Sequence, residues 1–312
     1  MSGSTTGTFL NQLQKTWLTP RVVRNHYFRT IALILSTLVL INARSFPLVW
    51  HMRVLRQLVE WNLRKALSPN KRLFMQKTSP VAQDPFKVMV TQKFWAGPDD
   101  CDFLGHLSNS SYAKNLDIAR MKVCIINLRP FMLEGGWMPL AGADYAFISE
   151  IRLFSHYEVR SKVASWDEKW LYLLSEFVTH SPAPQTASSG SRSGTEKGPT
   201  PHSALSLPKA DPKATRPDGT RLHCLAISRY CFKIGRLTVP PRIAMAICGF
   251  GPDRSNWLRS ASMQEEGTLR MFLEGGWRKE RGWELGEYEE KRAAGMVWCE
   301  KLKEGITALA DW

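Results

Sequence analysis

Thirteen residues, Asp100-Cys101-Asp102-Phe103-Leu104-Gly105-His106-Leu107-Ser108-Asn109-Ser110-Ser111-Tyr112, place two carboxylates, a glycine, a histidine and a capping asparagine in one short loop. An apolar helical pattern follows at once and runs to Pro130. The first amides of a helix lack intrahelical acceptors and sit at the positive end of its dipole. A loop that delivers a carboxylate there suits the holding and attack of a polar carbonyl.

The pattern from Asn109 to Arg129 carries Tyr112, Leu116, Ala119, Val123 and Ile126 at helical steps, with Ile118, Met121 and Ile125 widening the apolar surface. A helix apolar on several sides is wrapped by other elements. Ser108 or Asn109 is expected to cap its start and Pro130 to help stop it. Lys87–Trp95 reads as a strand before the loop, and Asp144–Phe154, Tyr157–Trp166, Lys169–Thr179 and Leu222–Ile234 read as strands after it. The tight turn at Asp167-Glu168 makes neighbouring strands antiparallel. Residues 181–219, rich in Ser, Thr, Pro, Gly and Lys, are expected to form a disordered insertion within one sheet. Beyond Pro240-Pro241 the chain turns helical, most clearly over Glu287–Ala310. The boundaries expected are 1–80 for an N-terminal anchor and basic neck, 85–240 for the main domain, and 241–312 for a C-terminal helical extension.

Charge singles out the N-terminus. Residues 1–80 hold twelve basic residues against one acidic residue, Glu60, which leaves only +3 of the whole-chain +14 for the rest. A nucleic-acid enzyme carries its positive charge on the folded domain, so no nucleic-acid partner is expected. The basic residues instead flank the apolar run Ile31–Ile41, which suggests anionic lipid. Eleven residues fall short of the ~20 that a spanning helix needs. Tyr27, Phe28 and Thr30 before it, and Phe46 to Trp50 after it, would supply the length if Arg29 and Arg44 snorkelled. Three readings stay open: a marginal single-pass anchor, an interfacial amphipathic helix, and a cleaved signal or buried helix. The anchor reading, with the bulk of the chain facing the cytosol, is the expectation. In the neck, Leu55, Leu58, Val59 and Leu63 fall at helical spacing.

The six cysteines are scattered without a C-x-x-C pair, and no second histidine or cysteine stands at ligand spacing, so neither a metal nor another cofactor is expected. Leu133-Glu134-Gly135-Gly136-Trp137 recurs as Leu273-Glu274-Gly275-Gly276-Trp277 without matching flanks. Gly-Gly after an apolar run reads as a shared helix stop.

The order strand, D-x-D-x-x-G-H-x-x-N-x-x-Y, helix, then four strands resembles the hotdog-fold acyl thioesterases of the 4-hydroxybenzoyl-CoA type. It is similar also to their membrane-anchored animal members and to fungal thioesterases that accompany lipopeptide and polyketide synthesis. The resemblance spans roughly residues 85–180 and 221–240. It implies an α+β hotdog fold, an antiparallel sheet wrapped around a long central helix. It further implies release of a free acid from an acyl-CoA or an acyl or polyketide chain on a carrier protein, and a homodimer with sites at its interface. Asp102 aligns with the catalytic carboxylate, as nucleophile or as general base for water. Amides near Asn109 to Tyr112 would polarise the carbonyl, Gly105 would let the backbone pass close to the acyl chain, and His106, Asn109 and Tyr112 would complete the substrate site. Ser108 stands where many relatives have the first of two asparagines. Beside these roles stand plainer ones: Asp100 or Asp102 as a helix-start charge, His106 as a packed residue, Tyr112 as core. A non-catalytic, membrane-tethered acyl-binding or scaffold protein is the alternative function.

Overall fold

A computed structural model describes residues 20–180, 215–280, 282–283 and 285–307, with side chains described from 25 to 301 within those ranges. Residues 1–51 and 52–312 form separate compact units.

In the first unit, Pro20–Ile41 forms helix α1. The expected single-pass anchor finds no support here: no helix among the described residues is long and apolar enough to cross a membrane. Arg21, Arg24, His26 and Arg29 occupy the first half of α1 and leave only Ile31–Ile41 apolar. At 1.5 Å per residue that run covers about 16 Å, roughly half of a bilayer core.

The second unit begins with α2 (Val49–Leu67, whose first residues belong to the first unit) and α3 (Lys71–Thr78). Val54 and Trp61 are the buried residues of α2, whereas Leu55, Val59 and Leu63 face outward. Of the neck's expected apolar stripe only Leu58 is half-buried, so the stripe is not what chiefly docks it. Trp61 does so, edge-on against Phe74 and under the Arg129 guanidinium.

The sheet runs β1 (Val90–Trp95), β4 (His156–Trp166), β5 (Trp170–His180), β6 (Thr220–Ile234), all antiparallel, with β3 (Leu140–Phe147) on the far side of β6. The two-residue β2 (Gly136–Trp137) and β7 (Leu237–Val239) pair with the end of β6. The long helix α4 (Asn109–Asn127) lies on one face. Alternation along the strands explains this layering. Tyr157 and Val159, Phe177, and Cys224 and Ala226 meet Tyr112, Leu116 and Ala119 of α4. Ala164, Tyr172, Leu174, Leu225 and Ile227 point to the opposite face, where they pack with Met296, Trp298 and Cys299 of α9 (Glu289–Thr307). Each such apolar side chain, fully buried, contributes about 1.5–3 kcal/mol. This is an α+β fold with the antiparallel sheet and long helix that the resemblance implied.

Several boundaries shift. Pro130 does not stop α4; after Leu128 it sits in the first turn of α5 (Arg129–Leu133), where a missing N–H costs nothing. The stretch 148–154, expected as strand, is a loop, because β3 ends at Phe147 and Ile148 and Ser149 both donate their amides to the His223 carbonyl. Residues 181–214 of the expected insertion lie outside the described residues. Its last five are ordered: Thr215 bridges Arg221, Arg216 pairs with Glu176, and Asp218 with Arg160. Burial opposes the Asp218 charge, yet hydrogen bonds from Thr220 and Arg160 hold its carboxyl down to about 2. Helices α6 (Pro241–Ile247), α7 (Ser255–Glu265) and α8 (Leu269–Leu273) follow β7. α6 is buried over Ile243–Ile247 and shares one core with Leu128, Phe131, Phe232 and Trp283.

Candidate active site

Cys101 pairs with Leu107 as an isolated antiparallel bridge, which folds residues 102–106 into a narrow turn. The Asp102 amide donates to the His106 carbonyl (2.8 Å), and the Gly105 amide to the Asp102 carbonyl (3.1 Å). Gly105 closes the turn at φ +77°, a conformation that costs other residues about 1–2 kcal/mol. The Asp102 carboxylate is exposed; its Oδ1 accepts from the amides of Leu104 (2.9 Å) and His106 (3.3 Å). These bonds use one oxygen and aim the carboxylate from the turn. Phe103 and Leu104 at the tip are 96% and 66% exposed.

Two residues away, Asp100 is wholly buried. Its Oδ1 lies 2.5 Å from Lys114 Nζ and 3.5 Å from Ser111 Oγ. Its carbonyl accepts from the Ser108 amide (3.0 Å), with Ser108 Oγ at 3.1 Å. Beside it, Asn115 Nδ2 donates to Tyr157 Oη (2.9 Å) and Asn115 Oδ1 accepts from Arg53 (3.0 Å). Burial, together with the Asp100 charge, pushes the Tyr157 phenol far above its ordinary value, so it stays protonated. Asp100 thus ties the base of the loop to α4.

Ser108 takes the N-cap position of α4 with extended backbone, but its hydroxyl meets Asp100 and Ser111 instead of capping an amide. The Ser111 and Tyr112 amides donate to the Ser108 carbonyl (2.9 and 3.3 Å). Among the described residues the Asn109 and Ser110 amides meet no acceptor, and they point from the start of a 19-residue helix. His106 is half-buried with Nε2 3.5 Å from Glu150. Asn109 is exposed in the first helical turn. Tyr112 lies in the core, its ring 4.8 Å from that of Phe177 and 5.1 Å from that of Phe147. Asp102 and Asn109 are exposed and Gly105 and His106 half-buried, whereas Tyr112 is buried.

Residues 96–193, which include the whole loop, match the thioesterase-like superfamily. That stretch is similar to a thioesterase-like domain. Its sequence is 28% identical over 287 residues to a protein of Emericella nidulans named probable thioesterase atnL, covering 84% of this chain and 82% of that one. Over 246 residues it is 27% identical to thioesterase poxG of Penicillium oxalicum, covering 73% and 72%. Protein THEM6 of Xenopus laevis is 31% identical over 107 residues, 33% of this chain and 50% of that one. Among solved structures, 4-hydroxybenzoyl CoA thioesterase from Pseudomonas sp. strain CBS-3 aligns with 49% of this chain and 93% of its own at 14% identity and a TM-score of 0.32, too loose a likeness to decide anything further.

Sequence reasoning missed a cavity of about 980 Å³ behind the thioesterase-like loop, walled by residues 148–152, the ends of β4 and β5 and the start of β6. His223 in its wall is buried, with Nδ1 3.0 Å from Ser149 Oγ and Nε2 2.8 Å from Thr179 Oγ1. No sequence signal announces this cavity, because its residues come from five separate segments. Burial pushes the thiols of Cys124, Cys224 and Cys248 up to about 12. No group of His, Cys, Asp and Glu able to hold a metal occurs among the described residues.

Proposed function

We propose that this protein hydrolyses an acyl thioester, with Asp102 as general base or nucleophile and the Asn109 and Ser110 amides polarising the thioester carbonyl. One observation carries the reading: an exposed carboxylate, aimed by two backbone amides, shares a thirteen-residue loop with two acceptor-free amides at the start of a long buried helix. A thioester is reactive enough for one carboxylate and two amides to suffice. As general base, Asp102 takes a proton from water, the resulting hydroxide adds to the carbonyl, and the thiol leaves with a proton returned to it. The acid released is a fatty or polyketide chain, carried on CoA or on a carrier protein.

The chain works as a homodimer. Asp102, Phe103 and Leu104 lie open on one protomer, and β3 keeps an edge unpaired among the described residues, both suited to a second copy. It also works at the cytosolic face of a membrane, lying on the bilayer rather than crossing it. Exposed apolar residues of α1 (Phe28, Ile31, Leu35) and of α2 (Leu55, Val59, Leu63) occur within the strongly basic N-terminal stretch, which suits anionic head groups. Co-sedimentation with vesicles containing anionic lipid, and not with neutral ones, is the expected outcome.

The alternative, a membrane-associated acyl binder, draws on the same Asp102 contacts, since an aspartate that accepts two amides of its own turn is also an ordinary turn former. Thiol release from medium- and long-chain acyl-CoAs separates the two. Steady release by the full chain supports hydrolysis; tight binding without release supports the binder.

A further inference from the structure

The neck helix reaches the root of the carboxylate loop. Arg53, Gln57 and Trp61 stand four residues apart, on one face of α2. Trp61 packs edge-on against Phe74, and Gln57 Nε2 donates to Gln92 Oε1 of β1 at 3.3 Å. Arg53 Nη2 donates to Asn115 Oδ1 of α4 at 3.0 Å. Docking alone asks for apolar side chains along such a face. Asn115 is wholly buried, and setting a guanidinium against it costs desolvation that an apolar contact would not. The charge at this position therefore calls for a use.

That use lies in what the Asn115 amide touches. A guanidinium only donates, so Arg53 selects the oxygen of Asn115 and turns its nitrogen toward the Tyr157 hydroxyl, 2.9 Å away. The reversed amide would set donor against donor. Asn115 shares one turn of α4 with Ser111 and Lys114, the two residues that hold the Asp100 carboxylate. The Asp100 carbonyl in turn takes the Ser108 amide and hydroxyl, and Asn109 and Ser110 follow directly. Arg53 thus clamps, from outside α4, the turn that sets the Asn109 and Ser110 amides relative to Asp102. It lies outside residues 96–193, so the likeness of that stretch to other proteins assigns it nothing.

Resting on the thioesterase reading, we infer that Arg53 is a positioning residue of the active site. The neck is then a working part of the enzyme, beyond any contact that it makes with lipid.

The test measures hydrolysis of a medium-chain acyl-CoA by the full chain. Arg53→Met keeps the apolar stem and removes the donor. It should lower kcat and kcat/KM together by about 10- to 100-fold, the scale of a misplaced reacting group, and leave KM alone. Arg53→Lys, which keeps a charged donor, should regain part of that loss. Gln57→Ala removes a docking contact one turn away and should leave kcat unchanged. Arg53→Gln takes the place of Arg53→Met, with the same outcomes, if the latter does not fold. An unchanged kcat in Arg53→Met overturns the inference while the thioesterase reading stands. So does an equal loss in Gln57→Ala, which would make the neck a mere brace, or a lysine variant no better than methionine.

Hydrogen exchange of the Ser108, Ser111 and Tyr112 amides needs no turnover. Exchange faster in Arg53→Met than in the parent and in Gln57→Ala sustains the clamp even if the parent cleaves no thioester, in which case the enzymatic reading is what fails. Exchange unchanged in Arg53→Met overturns the clamp.

Discussion

The root and the tip of the carboxylate loop sit two residues apart in sequence and in opposite physical worlds. Asp100 at the root is sealed from water, paired with Lys114 and wired through Ser108 and Ser111 to the start of α4. Asp102 at the tip stands in solvent, held by amides of its own turn. A buried charge commits its partners to one geometry, because losing either is costly. An exposed one is free to meet a substrate. The difference assigns architecture to the first carboxylate and chemistry to the second.

The strongest test of that division is Asp102→Asn. Thioester turnover should fall about 100- to 10,000-fold, the range for loss of a general base, while the thermal midpoint moves by no more than about 2 °C. Retained turnover would erase the distinction. Next in size, Asp100→Ala strands the Lys114 ammonium and should cost about 3 kcal/mol in a denaturant titration. Lys114→Met in the same chain should restore part of that loss, because both charges are then gone; no recovery would mean that Asp100 acts through Ser108 and Ser111 instead.

Gly105→Ala sharpens the comparison from the tip. A Cβ at Gly105 meets nothing within 4 Å, so only its φ of +77° opposes the change. Melting should report about 1–2 kcal/mol, with turnover reduced more than stability if the turn aims Asp102. The smallest effect concerns His223. Burial lowers its pKa below the ordinary 6.5, so the unfolded chain binds the proton more readily. Its contribution to stability is complete above about pH 6.5 and declines as the pH falls toward the folded-state value. Urea titrations across that window should show the decline in the parent and a flatter profile in His223→Gln.

Much of the fold was legible because it rests on local periods. Alternation of apolar residues in the four main strands and the helical steps of Tyr112, Leu116, Ala119 and Val123 point to the faces that are buried. The repeated Leu-Glu-Gly-Gly-Trp shows where local reading ends. Both copies stop a helix after Leu, at Leu133 and Leu273, and both enter a glycine at positive φ, +81° at Gly135 and +130° at Gly275. From there they part. Gly136-Trp137 pairs with Ile234 and Lys233 of β6, whereas Gly276–Arg278 continues as a 3-10 turn. A partner strand lies beside the first copy, and five identical residues cannot encode that.

The same limit applied to the N-terminal helices and to the cavity. The spacing of Leu55, Val59 and Leu63 predicts a helix, which forms, but their periodicity does not say which side meets the body; Val54 and Trp61 do. Lys93, Arg152, Arg221 and His223 come together only because strands distant in the chain end at one edge.

By itself the amino-acid order determined the helix and strand periods, the turn that Gly105 permits, and the loop that sets a carboxylate before a helix start, since each depends on neighbours a few residues away. Only the tertiary structure decided which of the two aspartates is buried, which face of α2 is covered, and which distant residues wall the cavity, because burial depends on distant segments packed together.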